Sequence, residues 1–253
     1  MLNNNPKMVD WHHRYQQQAQ WTKALRRYLY ERCEIEKAQR ILEVGCGTGA
    51  LLMEWMIFSS PTIYGLDINN DHLRQAKKHA PRACLTLGNA YSLPYPTAFF
   101  DVSLCHFLLL WLKDPMRALA EMRRVTRSGG FVLVLAEPDY GGRIDYPDVL
   151  HPLGELQRKA LLRQGADPLI GRQLGSLMGQ AGFSNVETGV LGGQWTQSPD
   201  LKGQAMEWSV LEDDLQGMVT ADTLRNLRRA DEEAWQRGER ILFVPTFYAF
   251  ARV

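Results

Sequence analysis

Glu43, Gly45, Gly47 and Gly49 stand close together in the run Arg40-Ile41-Leu42-Glu43-Val44-Gly45-Cys46-Gly47-Thr48-Gly49-Ala50. Three glycines in so short a stretch remove the side chains that would hold a ligand away from the backbone. A helix opening at Ala50-Leu51-Leu52 aims unpaired N–H groups into the same turn. That chemistry suits a nucleotide, and Gly45, Gly47 and Ala50 also satisfy the G-x-G-x-x-G/A spacing of dinucleotide sites. Glu43 is an acid inside an otherwise apolar strand, so its burial requires a purpose. Asp67 ends the run Thr62 to Asp67, where a carboxylate can accept hydrogen bonds from both hydroxyls of a ribose. Candidate residues for acting on a second reactant follow two later strands: Cys105 and His106 after one, and Glu137, Asp139, Tyr140 and Arg143 after the other. His106, with an ordinary pKa of about 6.5, suits proton removal from a hydroxyl or amine, and equally suits a packing role. Asp139 and Tyr140 are the other catalytic candidates. His12, His13, His72, His79 and His151 have no second functional group beside them in the sequence.

These residues need strand ends to hold them. Strands are expected at residues 41–44, 62–67 and 83–87, in the stretch before His106, at 131–136, at 185–191 and at 243–252. Helices are expected at Trp11 to Cys33, Asp71 to His79, Pro115 to Thr126, His151 to Gln164 and Gly171 to Ala181. The first should bury Tyr15, Trp21, Leu25, Tyr28 and Leu29, and the third Met116, Leu119, Met122 and Val125. Asn70 or Asp71 would cap the second. Alternating strands and helices predict a parallel sheet with ligands at its carboxyl edge. Between the last two strands, Gly192 to Arg240 reads as an inserted pair of helices. Its Trp195, Met206, Trp208, Leu211, Leu215, Met218, Leu224, Leu227 and Trp235 must cover something.

Composition narrows the classes. Lys plus Arg number 29 against 28 for Asp plus Glu, so a net charge of +1 offers no field for nucleic acid or acidic membranes. The pairs Arg26-Arg27, Arg123-Arg124 and Arg228-Arg229 read as solvated helix faces. Cys33, Cys46, Cys84 and Cys105 form no C-x-x-C pair, which predicts reduced thiols, no metal site and a cytoplasmic protein. Met1 to Pro6 lacks the pattern of a signal peptide, and the apolar run Phe107 to Leu112 is too short to span a bilayer. No stable membrane insertion is expected, and oligomeric state leaves no trace in the sequence.

Glu43 to Gly49 resembles the first motif of the class I S-adenosylmethionine (SAM) dependent methyltransferases, and the likeness continues down the chain. Asp67 matches the acid ending the second strand, Gly88-Asn89-Ala90 the adenine segment with Asn in place of its acid, and Leu93 to His106 the proline-rich turn, Phe-Asp pair and fourth strand. The resemblance implies that Glu43, Gly45, Cys46, Gly47 and Gly49 hold the methionine part of the cofactor. It places Asp67 and Ile68 at the ribose, Asn89 and Ala90 at the adenine, and Cys105 in the pocket wall. An N-terminal helix carrying Arg14, Tyr15, Gln18 and Trp21 would close over the cofactor's carboxylate. It further implies a Rossmann-like, seven-stranded, mostly parallel sheet with one antiparallel strand, helices on both faces and a helical cap. Residues 1–253 would form one domain, with a cap helix at about 8–35 and the insertion at about 192–240. The implied activity is methyl transfer from SAM to a small-molecule acceptor by in-line displacement, as in the ubiquinone and menaquinone biosynthesis group. No metal-holding set of acids and no Asn/Asp-Pro-Pro-Tyr motif for a flipped base is found. A non-catalytic SAM-binding protein and an NAD-dependent oxidoreductase are the alternatives.

Overall fold

A computed structural model describes residues 11–55, 61–192 and 201–253. Met1 to Pro6, residues 8–10 of the expected cap helix and Trp195 lie outside them. Ile41, Leu42 and Val44 are buried because Arg40–Val44 (β1) is flanked on both edges and covered on both faces. The other strands are Thr62–Asp67 (β2), Cys84–Leu87 (β3), Phe100–Cys105 (β4), Thr126–Pro138 (β5), Ile144–Tyr146 (β6), Glu187–Leu191 (β7), Ile241–Phe243 (β8) and Thr246–Arg252 (β9). Seven of them form one sheet in the order β3-β2-β1-β4-β5-β9-β7, and β9 alone runs antiparallel to its neighbours. The chain winds outward from β1 to β3, then crosses back to β4. That reversal opens a crevice at the carboxyl ends of β1 and β4, where such sheets bind ligands.

The helices are Trp11–Trp21 (α1), Lys23–Arg32 (α2), Leu52–Trp55 (α3), Asn70–His79 (α4), Pro115–Val125 (α5), His151–Arg163 (α6), Leu174–Gln180 (α7), Leu201–Asp214 (α8) and Ala221–Gln236 (α9). Because side chains alternate along a strand, Leu42, Val44, Val132 and Val134 pack with Leu119, Met122 and Met178 on one face. Ile41, Leu104, Leu133 and Leu135 pack with Leu25, Leu29, Trp55 and Leu73 on the other. The insertion has a smaller core of its own, in which Trp208, Leu211 and Leu227 meet Leu150 and Leu153. Among the described residues no helix is long and apolar enough to cross a membrane.

Several local expectations are corrected. The N-terminal helix is two helices, interrupted at Thr22, whose hydroxyl lies 2.8 Å from His106 Nε2. The interruption turns Trp21 and Tyr28 outward, at 47% and 45% exposure, and Arg26 inward, at 1%. Arg26 is therefore not part of a solvated face; it donates to the Ala19 carbonyl at 2.6 Å and to Glu54 Oε2 at 2.9 Å. Asn69 caps α4, accepting from the Asp71 and His72 N–H groups, which displaces the expected cap by one residue. Met116 is exposed, since the stripe of α5 that faces the sheet passes through Ala118, Leu119, Met122 and Val125. Phe243 belongs not to the last strand but to β8, which pairs with β6 in a separate ribbon.

Candidate active site

The glycine turn is tied to β2 before any ligand arrives. Gly45 and Cys46 donate to the Leu66 carbonyl at 2.7 and 3.0 Å, and Gly47 donates to Asp67 Oδ2 at 2.8 Å. Asp67 Oδ1 accepts from Asn69 at 2.8 Å, so this one carboxylate joins the turn after β1 to the turn after β2. Gly47 has φ +51°, and a Cβ there would sit 3.0 Å from the Tyr15 ring, which α1 lays over the turn. Gly49, at φ +82°, faces backbone instead: a Cβ would lie 3.2 Å from Ala76 Cα in α4. Its role is close packing of turn against helix. Burial and the neighbouring Asp67 push the Tyr15 phenol up to about 12. Glu43 is enclosed at the floor, and its Oε2 has no hydrogen-bond partner. Burial pushes this carboxyl well above the usual range, with the Glu54 charge adding to the shift and Arg26 opposing it. A buried acceptor left open at a ligand turn fits a ligand that brings N–H donors and positive charge.

The second half of the cavity is built on the loop after β4. Glu137, at the end of β5, accepts from the N–H groups of Leu108, Leu109 and Leu110 at 2.9, 2.7 and 3.2 Å. Its carboxyl is raised to about 7 by burial against the pull of those three donors. By holding the loop it presents Phe107, Leu108, Leu110 and Trp111 to the cavity. His106, half-buried, lines the cavity with them, and desolvation with the nearby Arg26 charge lowers its pKa to about 3. The imidazole is therefore neutral at pH 7. Tyr140 lines the same wall, with its phenol raised by burial. Opposite stand Gln157, Leu161 and Gln164 from α6 and its C-terminal cap, and Val210 and Asp214 from α8. The enclosed volume is about 440 Å³.

Twelve of the residues proposed for the cofactor or the chemistry line this cavity together: Arg14, Tyr15, Gln18, Trp21, Glu43, Gly45, Cys46, Gly47, Asp67, Ile68, His106 and Tyr140. Others stand apart from its lining, Glu137 and Arg143 among them. Gly49 packs on α4; Cys105 is fully buried in the sheet; Asn89 is exposed, with Oδ1 accepting from Tyr91 N at 2.9 Å, beside a buried Ala90. Asp139 spends its carboxylate on Arg172, at 2.5 and 2.8 Å, and on the Gly141 N–H. Phe107, Trp111, Gln157, Gln164 and Asp214 were missed. Asp214 follows Glu212-Asp213 in a run that reads as a wet helix end, and nothing local separates it from its neighbours. Among the described residues no three His, Cys, Asp or Glu side chains form a metal-holding group.

A glycine turn at the switch point, a buried acid before it and an acid closing β2 define a nucleotide-cofactor enzyme on a Rossmann-like sheet. A family described as a methyltransferase domain matches residues 42–134. A demethylmenaquinone methyltransferase of Geobacillus kaustophilus is 31% identical over 176 residues, covering 62% of this chain and 75% of that protein. An uncharacterized methyltransferase of Schizosaccharomyces pombe is 34% identical over 153 residues, 55% of each chain, and a transposon protein of Streptomyces fradiae is matched over 51% of its length. The chain thus spans about half the length of these latter two relatives. The crystal structure of a SAM-dependent methyltransferase from Archaeoglobus fulgidus shares the fold, with TM-score 0.57, 18% identity, and 93% of this chain and 94% of that one covered. The chain belongs to the class I SAM-dependent methyltransferases, and SAM is its cofactor.

Proposed function

We propose that the enzyme methylates a small-molecule acceptor inside this cavity, by in-line displacement. We further propose that residues 1–253 act as one unit, with the N-terminal helices and the late insertion as its cap. The cofactor supplies a methyl group on a positively charged sulfur. Glu43, Gly45, Cys46, Gly47, Asp67 and Ile68 would hold it from the sheet side, with Tyr15 and Trp21 closing from α1. The open Oε2 of Glu43 answers positive charge, and the bare Gly47 allows close approach beneath Tyr15. Asp67 keeps the turn in shape while each of its oxygens retains a lone pair for a ribose hydroxyl.

The observation that carries this reading is one cavity lined both by the strand-end residues Glu43, Gly47 and Asp67 and by the aromatic Phe107, Trp111 and Tyr140. Its volume of about 440 Å³ lies in the range of small-molecule sites, roughly 300–1,000 Å³. Phe107, Leu110, Trp111 and Tyr140 exclude water and orient the acceptor, which is most of what a displacement with a good leaving group requires. His106 is a neutral wall residue here, held by Thr22. The test has two parts. Calorimetry should show saturable binding of S-adenosylhomocysteine and none of NADH. Methyl-labelled SAM incubated with a panel of small hydroxyl, amine and carbon acceptors should then yield a labelled small product. Label entering only macromolecules would overturn the small-molecule reading.

A further inference from the structure

The cavity lining contains a carboxylate, Asp214, that forms no ion pair among the described residues. Asp214 ends α8, and its Oδ1 accepts from Gln164 Nε2 at 2.8 Å. Gln157 lines the cavity with it. Arg143 donates to Gln157 Oε1, which orients that amide. Arg143 is held in turn by Asp145 at 2.6 and 3.0 Å, Asp145 by Arg240 at 2.6 Å, and Arg240 by Asp231 at 2.6 Å. Asp231 accepts from Trp208 Nε1 at 2.8 Å, which brings the line back to α8. Asp214 is thereby fixed at the cavity wall.

Amide donors orient a carboxylate without cancelling its charge. Among the described residues no Lys, Arg or His forms a salt bridge with Asp214; Arg14, whose field reaches it, is bonded to Glu207 and Gln17. Burial accordingly raises the Asp214 carboxyl above its ordinary range. Phe107, Trp111 and Tyr140 line the same space, and the faces of such rings attract cations.

Resting on the small-molecule reading above, we propose that Asp214 is the acceptor-recognising residue, and that the acceptor is a small amine with a ring-bearing apolar body whose protonated nitrogen pairs with Asp214. A carboxylate and ring faces favour an ammonium over a neutral hydroxyl and repel an acid, and a charge-assisted pair in a partly dry site is the stronger contact. The pairing is a binding contact and assigns no proton transfer.

The experiment is calorimetric titration of the enzyme, saturated with S-adenosylhomocysteine, with phenethylamine and tryptamine, beside phenethyl alcohol and hydrocinnamate. At least one amine should bind about tenfold or more tighter than the alcohol, with no binding of the acid, as one charge-assisted bond predicts. Asp214→Asn should weaken amine binding by about tenfold with the affinity for S-adenosylhomocysteine unchanged. Gln164→Leu, which keeps the charge and removes a brace, should weaken it by about threefold, and it carries the test if the first variant does not fold. Equal binding of alcohol and amine, binding of neither amine, or unchanged amine affinity in the variants would overturn the proposal. An enzyme that methylates small alcohols and binds no amine would keep the proposed function and lose this inference.

Discussion

Single residues at this site are shaped by opposed demands of burial and charge. Asp67 both caps the glycine turn and lines the cavity, so Asp67→Ala removes charge-assisted bonds of about 1.5–3 kcal/mol each. Affinity for S-adenosylhomocysteine should fall by roughly ten- to a hundredfold by calorimetry. Gly47→Val should act similarly for a different reason, since its Cβ meets Tyr15 at a backbone angle that branched side chains avoid. His106 offers a pH test. Its folded pKa of about 3 lies below the ordinary 6.5, so between those values the unfolded chain binds the extra proton. The stability it contributes is complete above pH 6.5 and is lost as pH falls toward 3, with a slope of about 1.4 kcal/mol per pH unit. His106→Gln should remove that component from a denaturation series across the window; an unchanged slope would show that the imidazole titrates normally.

At the scale of elements, the site is roofed by segments distant in sequence. His12 in α1 lies 2.8 Å from the Thr48 hydroxyl and stacks on His79 of α4 at 3.5 Å, while Arg14 reaches Glu207 in α8. Thr22, where α1 gives way to α2, meets His106, and Arg26 donates to the Thr22 hydroxyl at 2.5 Å. The insertion is locked by Arg240, enclosed between Asp145 of β6 and Asp231 of α9. Arg240→Met would leave the buried Asp231 without its cation and Asp145 with Arg143 alone, a loss of about 3–5 kcal/mol by the usual cost of breaking a buried pair. The expected outcome is a lower Tm and faster proteolysis within α8 and α9, with the sheet protected longer. A variant as stable as the parent would show that this network contributes little to holding the insertion.

Across the whole molecule, a cofactor held as proposed between β1, β2 and α1 would join parts of the chain that separate on unfolding. At a concentration one hundred times its Kd, S-adenosylhomocysteine should stabilise the protein by about 2.7 kcal/mol, seen as a rise in Tm that Asp67→Ala diminishes. What the sequence determined by itself was local. The β1 run, the glycines after it and the acids Glu43 and Asp67 are readable because strand period, turn chemistry and an acid misplaced in an apolar run are properties of neighbouring residues. The seven-stranded, mostly parallel sheet was implied by the resemblance those motifs carry, while its strand order comes from the structure. Tertiary structure decided the rest. Arg26 and Arg27 are adjacent arginines, yet only the break at Thr22 takes the first into the core. Asp213 and Asp214 are adjacent acids, and only the docking of α8 on α6 brings the second to Gln164 and the cavity. Such outcomes depend on which elements come to lie against one another, and burial at those contacts, absent from any short stretch of sequence, selects the residues that face the ligand.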